Sequence, residues 1–152
     1  MWVYEHSLET AAAPEAIWHL WADVQNWGTW NADIEKIELR GPFAAGSEIT
    51  MVPAGQDPVE LRIAEAVEGE SFTDEAHFGG LTLRTAHRIE PVEPVESGEQ
   101  AADGSAPAGT RIVYRMEITG AEAQEMGPQI GPAITADWPE TMAALARAAA
   151  RH

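Results

Sequence analysis

Three side chains that can move a proton or hold a ligand's polar group fall on stretches in which apolar and polar residues alternate. Asp74 lies on one such stretch, His87 on the next and Tyr114 on a third. In each stretch the polar residue shares the apolar face, which is the face that a half-buried strand turns inward. His87 with Asp74, or either with a tyrosine, has the groups needed for acid–base catalysis or for orienting a ligand's oxygen atoms. An unpaired buried carboxylate is costly, so we expect Asp74 to find a partner or to have a raised pKa.

The dipeptide Gly79-Gly80 sets how two of these stretches pair. Glycine accepts the positive φ angles that a two-residue hairpin turn needs, so residues 71–78 and 81–90 are predicted to form a hairpin. Directly opposed residues share a face of a sheet. The predicted pairs are Phe78 with Leu81, Ala76 with Leu83, Asp74 with Thr85 and Phe72 with His87. The apolar majority of this face predicts that it is the inner one.

Each polar candidate also has a purely structural interpretation. Buried histidine and tyrosine side chains often satisfy each other's hydrogen bonds within a core, and this interpretation applies above all to His6. Tyr114 is expected to form part of a cavity wall under either interpretation. The outward side chains Arg84, Arg88, Arg111 and Arg115 are expected to face Glu75 and Glu117 as a solvated ladder of charges.

Composition and motifs argue against several other kinds of chemistry. The chain has no cysteine, which removes disulfides, thiol catalysis and thiolate metal sites. Its five histidines lack the spacing of HExxH or a comparable motif, so we predict no metal site and no cofactor. No serine lies in a GxSxG elbow, and no glycine-rich loop precedes a helix as a phosphate-binding loop does.

The charge of the chain bears on its partners. Its 152 residues include 25 Asp and Glu but 9 Lys and Arg, which gives a formal net charge of −16. Such a surface repels phosphate backbones and anionic lipid, so neither nucleic acid nor a membrane is an expected partner. No apolar run approaches the ~20 residues of a membrane span, and the N-terminus lacks a basic segment followed by an apolar one. We therefore expect a cytoplasmic protein, either a monomer or a homodimer.

The order of predicted elements defines an α+β domain over residues 1–152. An alternating strand at 2–9 precedes a helix that begins at Pro14 and a short helix carrying Trp27 and Trp30. Six strands follow near 34–40, 47–52, 58–67, 71–78, 81–90 and 110–119, with a flexible acidic, Pro/Gly-rich loop at about 91–109. A long C-terminal helix carries an apolar stripe of Ile130, Ile134, Trp138, Met142, Leu145 and Ala149. Pro128 and Pro132 are expected near its start, and Pro139 should kink it or restart it with Asp137 as cap.

Several short motifs, in this order and spacing, resemble those of the START-like (SRPBCC) superfamily, and within it the polyketide cyclase/dehydrase-like branch. They are Pro14-Glu15-Ala16-Ile17-Trp18, Asp23 followed by Trp27 and Trp30, Gly41-Pro42 with Gly46, His87-Arg88-Ile89-Glu90-Pro91, Gly109-Thr110 leading into Tyr114, and Gly120. The resemblance implies a helix-grip fold: a curved antiparallel sheet of about seven strands, two short helices after the first strand, and a long C-terminal helix across the sheet over a cavity. It also implies that the first strand neighbours the last, which neighbours that of His87 and then that of Asp74.

This arrangement predicts a cavity that binds a hydrophobic or aromatic small molecule. The residues expected to line it are Tyr4, His6, Trp30, Met51, Leu61, Ile63, Asp74, Ala76, Phe78, Leu83, Thr85, His87, Tyr114, Met116, Ile130, Ile134 and Trp138. Two alternatives stay open. One is a cyclase/dehydratase enzyme acting on a polyketide-like substrate, with His87, Asp74 and Tyr114 as catalytic candidates. The other is a protein-interaction module whose cavity has collapsed.

Overall fold

The structure, a computed structural model, describes residues 1–92 and 109–151, and its elements follow the predicted order. They are β1 (Trp2–Thr10), α1 (Pro14–Ala22), a 3₁₀ helix (Val24–Thr29), β2 (Ile34–Arg40), β3 (Glu48–Pro53), β4 (Val59–Val67), β5 (Ser71–Phe78), β6 (Leu81–Val92), β7 (Gly109–Thr119), α2 (Ala123–Thr135) and α3 (Trp138–Ala150). The loop predicted at about 91–109 lies outside the described residues except for its two ends, which belong to β6 and β7.

The strands form one curved antiparallel sheet in the order β1-β7-β6-β5-β4-β3-β2. This confirms that β1 neighbours β7 and that the strands of His87 and Asp74 are adjacent. The register predicted from Gly79-Gly80 is also confirmed, since Asp74 lies opposite Thr85 and Phe72 lies opposite His87. Gly79 has a φ of 58°, a conformation that glycine adopts without strain. The turn therefore determines which side chains of β5 and β6 share the inner face.

Most of the predicted inner face is buried, and Phe78 is the exception. Ala76, Leu81 and Leu83 are buried, whereas Phe78 is 47% exposed. Its predicted place in the cavity lining is therefore wrong. Phe78 is the last residue of β5 and directly precedes the turn. Period-two alternation identifies the face of a strand, but it does not tell how far the helices extend over the strand's end.

The outer face of the sheet carries the predicted ladder of charges. Arg84 Nη1 lies 2.9 Å from Glu75 Oε2, and Arg115 Nε lies 3.1 Å from Glu117 Oε2. Arg111 is shared between Glu9 and Glu90 at 3.7 and 3.6 Å. These pairs are partly exposed, so each contributes at most about 1 kcal/mol to stability.

The C-terminal helix is divided into α2 and α3 by Ala136 and Asp137. Of the two expected outcomes at Pro139, the structure has the restart, although the Asp137 side chain makes no capping hydrogen bond. Pro139 has no N–H to donate to the carbonyl of Thr135, so the helical ladder is interrupted here. Pro128 and Pro132 lie inside α2 rather than near its start, because the helix already begins at Ala123.

The buried face of α2 differs from the predicted apolar stripe. Its buried residues are Ala123, Gly127, Gly131 and Thr135, whereas Ile134 is 39% exposed and Ile130 is half-buried. A Cβ on Gly127 would lie 2.5 Å from Trp2 Cβ, and one on Gly131 would lie 2.5 Å from Trp2 Cζ3. The helix thus packs its backbone directly on the Trp2 side chain. The predicted burial of Ile134 is wrong, because a prediction from apolar side chains does not consider glycine, and here two glycines form the buried face of the helix.

We predict that Gly131→Ala destabilises the protein. In a helix, alanine is intrinsically better than glycine by about 1 kcal/mol, but its methyl group here would overlap the Trp2 ring. Overpacking of this kind typically costs about 1–3 kcal/mol, so after the gain in helix propensity the free energy of unfolding measured in urea should fall by up to about 2 kcal/mol. In the background of Trp2→Leu, which removes the ring, the same substitution should be neutral or stabilising. A gain in stability with Trp2 present would contradict the packing.

Candidate functional site

Asp74 and His87 approach each other on the inner face of the sheet. They lie on adjacent strands, displaced by one step along the face, and Asp74 Oδ2 is 4.0 Å from His87 Nε2. That distance is too long for a hydrogen bond. Each side chain keeps 11% of its surface accessible, so the pair borders accessible space rather than a sealed core. The structure therefore brings the two sequence candidates together without joining them directly.

The His87 ring is held in one orientation by Phe72. Its Nδ1 lies 3.2 Å from the Phe72 carbonyl oxygen, which can only accept, so Nδ1 carries the hydrogen. The imidazole also stacks on the Phe72 ring, with centroids 4.0 Å apart and planes 4° from parallel. Burial lowers the pKa of His87 to about 3, partly offset by the hydrogen bond to Phe72. At neutral pH the imidazole is uncharged, and Nε2 presents a lone pair towards Asp74.

The Asp74 carboxyl group has no hydrogen-bond donor within residues 1–92 and 109–151. Burial, with a smaller contribution from the charge of Glu75, raises the pKa of Asp74 to about 7. The expectation of a partner or a raised pKa is met by the raised pKa. Near neutral pH the group is therefore present in both its protonated and ionised forms.

Tyr114 has a different role from the pair. It lies opposite His87 on β7, and the two rings meet edge to face at 4.6 Å. Its hydroxyl accepts a hydrogen bond of 3.3 Å from Trp21 Nε1. Burial raises the pKa of Tyr114 above its ordinary value, so the phenol stays protonated. Tyr114 thus packs against the His87 ring, while its hydroxyl is directed to Trp21.

Aromatic side chains of the helices pack over the His87 ring. The central one, Trp21, was not among the predicted site residues. Trp21 on α1 is fully buried and lies 5.2 Å from the Phe72 ring and 6.0 Å from the His87 ring. Trp27 Nε1 donates a 2.9 Å hydrogen bond to the Trp21 carbonyl, which holds the end of α1 in place. In the sequence, Trp21 lies at helical spacing from Ile17 and Val24, which favours a core position, but no local signal indicates that it faces His87.

The other predicted lining residues divide by burial. Trp30, Ile63, Ala76, Leu83, Met116 and Trp138 are buried; Tyr4, His6, Met51, Leu61, Thr85 and Ile130 are half-buried; Phe78 and Ile134 are exposed. Trp30 Nε1 is buried without a hydrogen-bond partner among the described residues. His6 lies opposite Tyr114 on β1. The inner face thus combines a packed floor with partly accessible residues.

Two surface grooves lie away from the Asp74–His87 pair. One, of about 300 Å³, is lined by Trp2, Tyr4, Pro132, Thr135, Ala136 and Pro139. The other, of about 480 Å³, lies between the 3₁₀ helix and strands β2 and β3. Tyr4 is the one predicted lining residue that borders either groove. Neither groove therefore reaches the Asp74–His87 pair.

Within residues 1–92 and 109–151, no three histidine, aspartate or glutamate side chains come close enough together to hold a metal ion. In the same residues, no helix is long and apolar enough to cross a membrane.

No protein-family model matches this chain, and no curated protein sequence matches it either. Solved structures do. Norcoclaurine synthase from Thalictrum flavum has a TM-score of 0.67 at 14% identity, over 99% of this chain and 94% of that one. A START superfamily protein from Mycobacterium smegmatis has a TM-score of 0.61 at 17% identity, over 96% and 92%. The di-domain ARO/CYC protein BexL from the BE-7585A biosynthetic pathway has a TM-score of 0.69 at 10% identity, over 97% and 50%.

The chain therefore has the helix-grip fold of the START-like (SRPBCC) proteins, as its motifs indicated. At these identities the likeness defines the fold, and it does not assign a ligand or a reaction to this chain.

We predict that Asp74 makes stability depend on pH. Because the folded carboxyl group keeps its proton up to about pH 7, raising the pH from 5 to 8 favours the unfolded, ionised form. Asp74→Asn has no carboxyl group and lacks this loss. The free energy of unfolding of the variant, relative to that of the wild type, should therefore rise by about 2 kcal/mol between pH 5 and pH 8.

The matched control is Glu75→Gln, the same change of carboxylate to amide on the opposite face of the same strand. Its pH dependence should stay close to that of the wild type and be slightly weaker, because the charge of Glu75 makes a smaller contribution to the raised pKa of Asp74. The lowered pKa of His87 removes stability as the pH falls below about 6.5, and this effect is common to all three proteins. Urea unfolding at both pH values measures the difference, and parallel curves for Asp74→Asn and the wild type would refute the burial of an ionisable Asp74.

Proposed function

We propose that this protein binds a hydrophobic, aromatic small molecule between the sheet and the helices, with the polar group of that molecule held between Asp74 and His87. The observation that carries the proposal is the 4.0 Å separation of Asp74 Oδ2 and His87 Nε2, which border accessible space and lack a hydrogen bond to each other. Hydrogen bonds of about 2.8 Å from each atom can meet at one bridging ligand atom.

A purely structural role explains this pair poorly. An aspartate whose pKa is raised to about 7 by burial reduces the stability of the fold at neutral pH, by an amount on the order of several kcal/mol. Buried charged pairs are in general no more stabilising than apolar residues of similar size. A ligand that hydrogen-bonds to both polar atoms would remove part of this loss of stability. Ligand binding therefore explains the pair better than a purely structural role does.

The surroundings of the pair suit an aromatic molecule. The buried rings of Phe72, Tyr114 and Trp21 pack around His87 and make this region apolar and aromatic. On the same inner face, Leu61 and Thr85 are half-buried, so part of the face stays accessible. Binding sites for small molecules are typically apolar with a few convergent polar groups, which is the composition of this region.

Proteins of similar fold support the proposal by analogy. Norcoclaurine synthase from Thalictrum flavum has been solved in complex with dopamine and hydroxybenzaldehyde, both of them aromatic. BexL is described as an ARO/CYC protein of a biosynthetic pathway. The helix-grip fold is thus compatible with aromatic ligands.

A cyclase or dehydratase is the second candidate, and the pKa of Asp74 favours it. A carboxyl group that titrates near pH 7 beside a neutral imidazole supplies an acid and a base to one site. Turnover of this kind would depend on pH with a bell-shaped profile and would be lost in Asp74→Asn and in His87→Ala. A single domain over residues 1–152, a cytoplasmic location and a monomer or homodimer stay predictions.

We predict that a neutral aromatic probe such as 1-naphthol raises the melting temperature of the protein. At ten times its Kd the probe should add about 1.4 kcal/mol, or about 3–6 °C for a chain of this size. Thr85→Phe, which fills the accessible space beside Asp74, should abolish the shift, and the NMR signals of the His87 ring should move only when the probe binds.

The matched control is Thr82→Phe, the same substitution three residues away on the outer face of β6. This variant should keep the full shift. The proposal is refuted if no aromatic probe changes the melting temperature, or if the two phenylalanine variants lose the shift equally.

A further inference from the structure

The two polar atoms that face each other across the gap are both hydrogen-bond acceptors above pH 7. His87 Nε2 offers a lone pair because the ring hydrogen is held on Nδ1 by the Phe72 carbonyl. An ionised Asp74 carboxylate only accepts. At 4.0 Å the two acceptors cannot satisfy each other, so they need a group with at least two hydrogens to donate. A hydroxyl has one hydrogen, whereas a protonated amine has two or three.

No basic side chain occupies the interior. The chain has 9 Lys and Arg residues, all within the described part of the chain, and each is half-buried or exposed. Arg84, Arg111 and Arg115 lie on the outer face in ion pairs with glutamates. A ligand carboxylate would therefore meet Asp74 without a compensating cation, whereas a ligand cation would meet an unpaired carboxylate.

The charge of the whole protein and the rings around the pair favour the same kind of ligand. A net charge of −16 raises the local concentration of cations at the surface. Around His87, the buried rings of Phe72, Trp21 and Tyr114 form apolar, aromatic surroundings that suit an aromatic group.

We propose that the ligand is an aromatic amine in its protonated form, an arylalkylammonium ion, whose N–H groups donate to Asp74 Oδ2 and His87 Nε2. This inference rests on the proposed function and specifies the chemical class of the molecule bound there. The amine supplies the two donors that the pair lacks and the positive charge that the interior lacks.

Binding of such an ion depends on pH through Asp74. The pKa of Asp74 lies at about 7 in the free protein, so an ammonium ion bound below that pH must displace a proton. On the inner face the titratable groups near Asp74 are His87 on β6 and Tyr114 on β7, while Thr85 and Ile63 lie opposite it on the two neighbouring strands. Glu75 lies on the outer face and acts on Asp74 through its charge alone, and the helices contribute the uncharged rings of Trp21 and Trp138, which contact Tyr114. His87 and Tyr114 are uncharged between pH 5.5 and 8, so Asp74 governs the dependence in this range.

Three probes that share one ring system test the proposal by calorimetry. They are 2-(1-naphthyl)ethylamine, 2-(1-naphthyl)ethanol and 1-naphthylacetate. At pH 8 the amine should bind at least tenfold more tightly than the alcohol, and the carboxylate should bind most weakly. Lowering the pH to 5.5 should weaken the amine by about 30-fold, as the ionised fraction of Asp74 falls, and leave the alcohol nearly unchanged. Titrations of the amine at pH 6.5 in buffers of different ionisation enthalpy should show proton release.

Variants separate this inference from the function on which it rests. Asp74→Asn should lose the preference for the amine and still bind the alcohol, whereas Glu75→Gln should keep the preference. If the alcohol binds as tightly as the amine at pH 8, or if Asp74→Asn keeps the preference, the ligand is not an amine held by Asp74, and the proposed function survives. If none of the three probes binds, the proposed function fails together with this inference.

Discussion

The interior of this protein is organised around a carboxyl group that is buried without a donor. Asp74 is placed on the concave face by the register of the β5–β6 hairpin, and nothing in the described part of the chain hydrogen-bonds to it. A charge in such surroundings is expensive, so Asp74 keeps its proton to about pH 7. Its nearest polar neighbour is a neutral imidazole rather than a cation. The raised pKa of Asp74 and the pH dependence of stability expected from it follow from this arrangement, and so does the ligand preference proposed above.

Phe72 links the chemistry of the site to its shape. Its carbonyl fixes the tautomer of His87, and its ring stacks on the imidazole and packs against Trp21. One residue thus determines where the lone pair of His87 points and also forms a wall of the space in front of it. The orientation of His87 is consequently set by backbone and packing, and it does not depend on Asp74.

The sequence was sufficient to predict the strands, the order in which they pair and the face on which Asp74 and His87 lie. The strands and the inner face depend on local patterns, namely alternation along each strand and the glycine pair that fixes the register of β5 and β6, whereas the order of the strands was implied by the resemblance to the START-like proteins. The exposure of Phe78 and Ile134 was not predictable in the same way, because it depends on how far one element extends over another. Gly127 and Gly131 form the close contact of α2 with Trp2. A pattern of apolar side chains cannot indicate this contact, because glycine has no side chain. The helical spacing of Trp21 favours a core position. Its position over His87 depends on the tertiary packing of α1, which the local pattern does not determine.

The break between α2 and α3 divides the C-terminal cover of the sheet into two rigid rods. The first is anchored where its glycines rest on Trp2, and the second contributes Trp138, whose ring lies 5.7 Å from that of Tyr114. Because Pro139 already removes a rung of the helical ladder, a small tilt of the second rod about this joint would break no helical hydrogen bond. Such a tilt would shift Trp138 relative to the Tyr114 ring at low energetic cost, while the sheet stays unchanged.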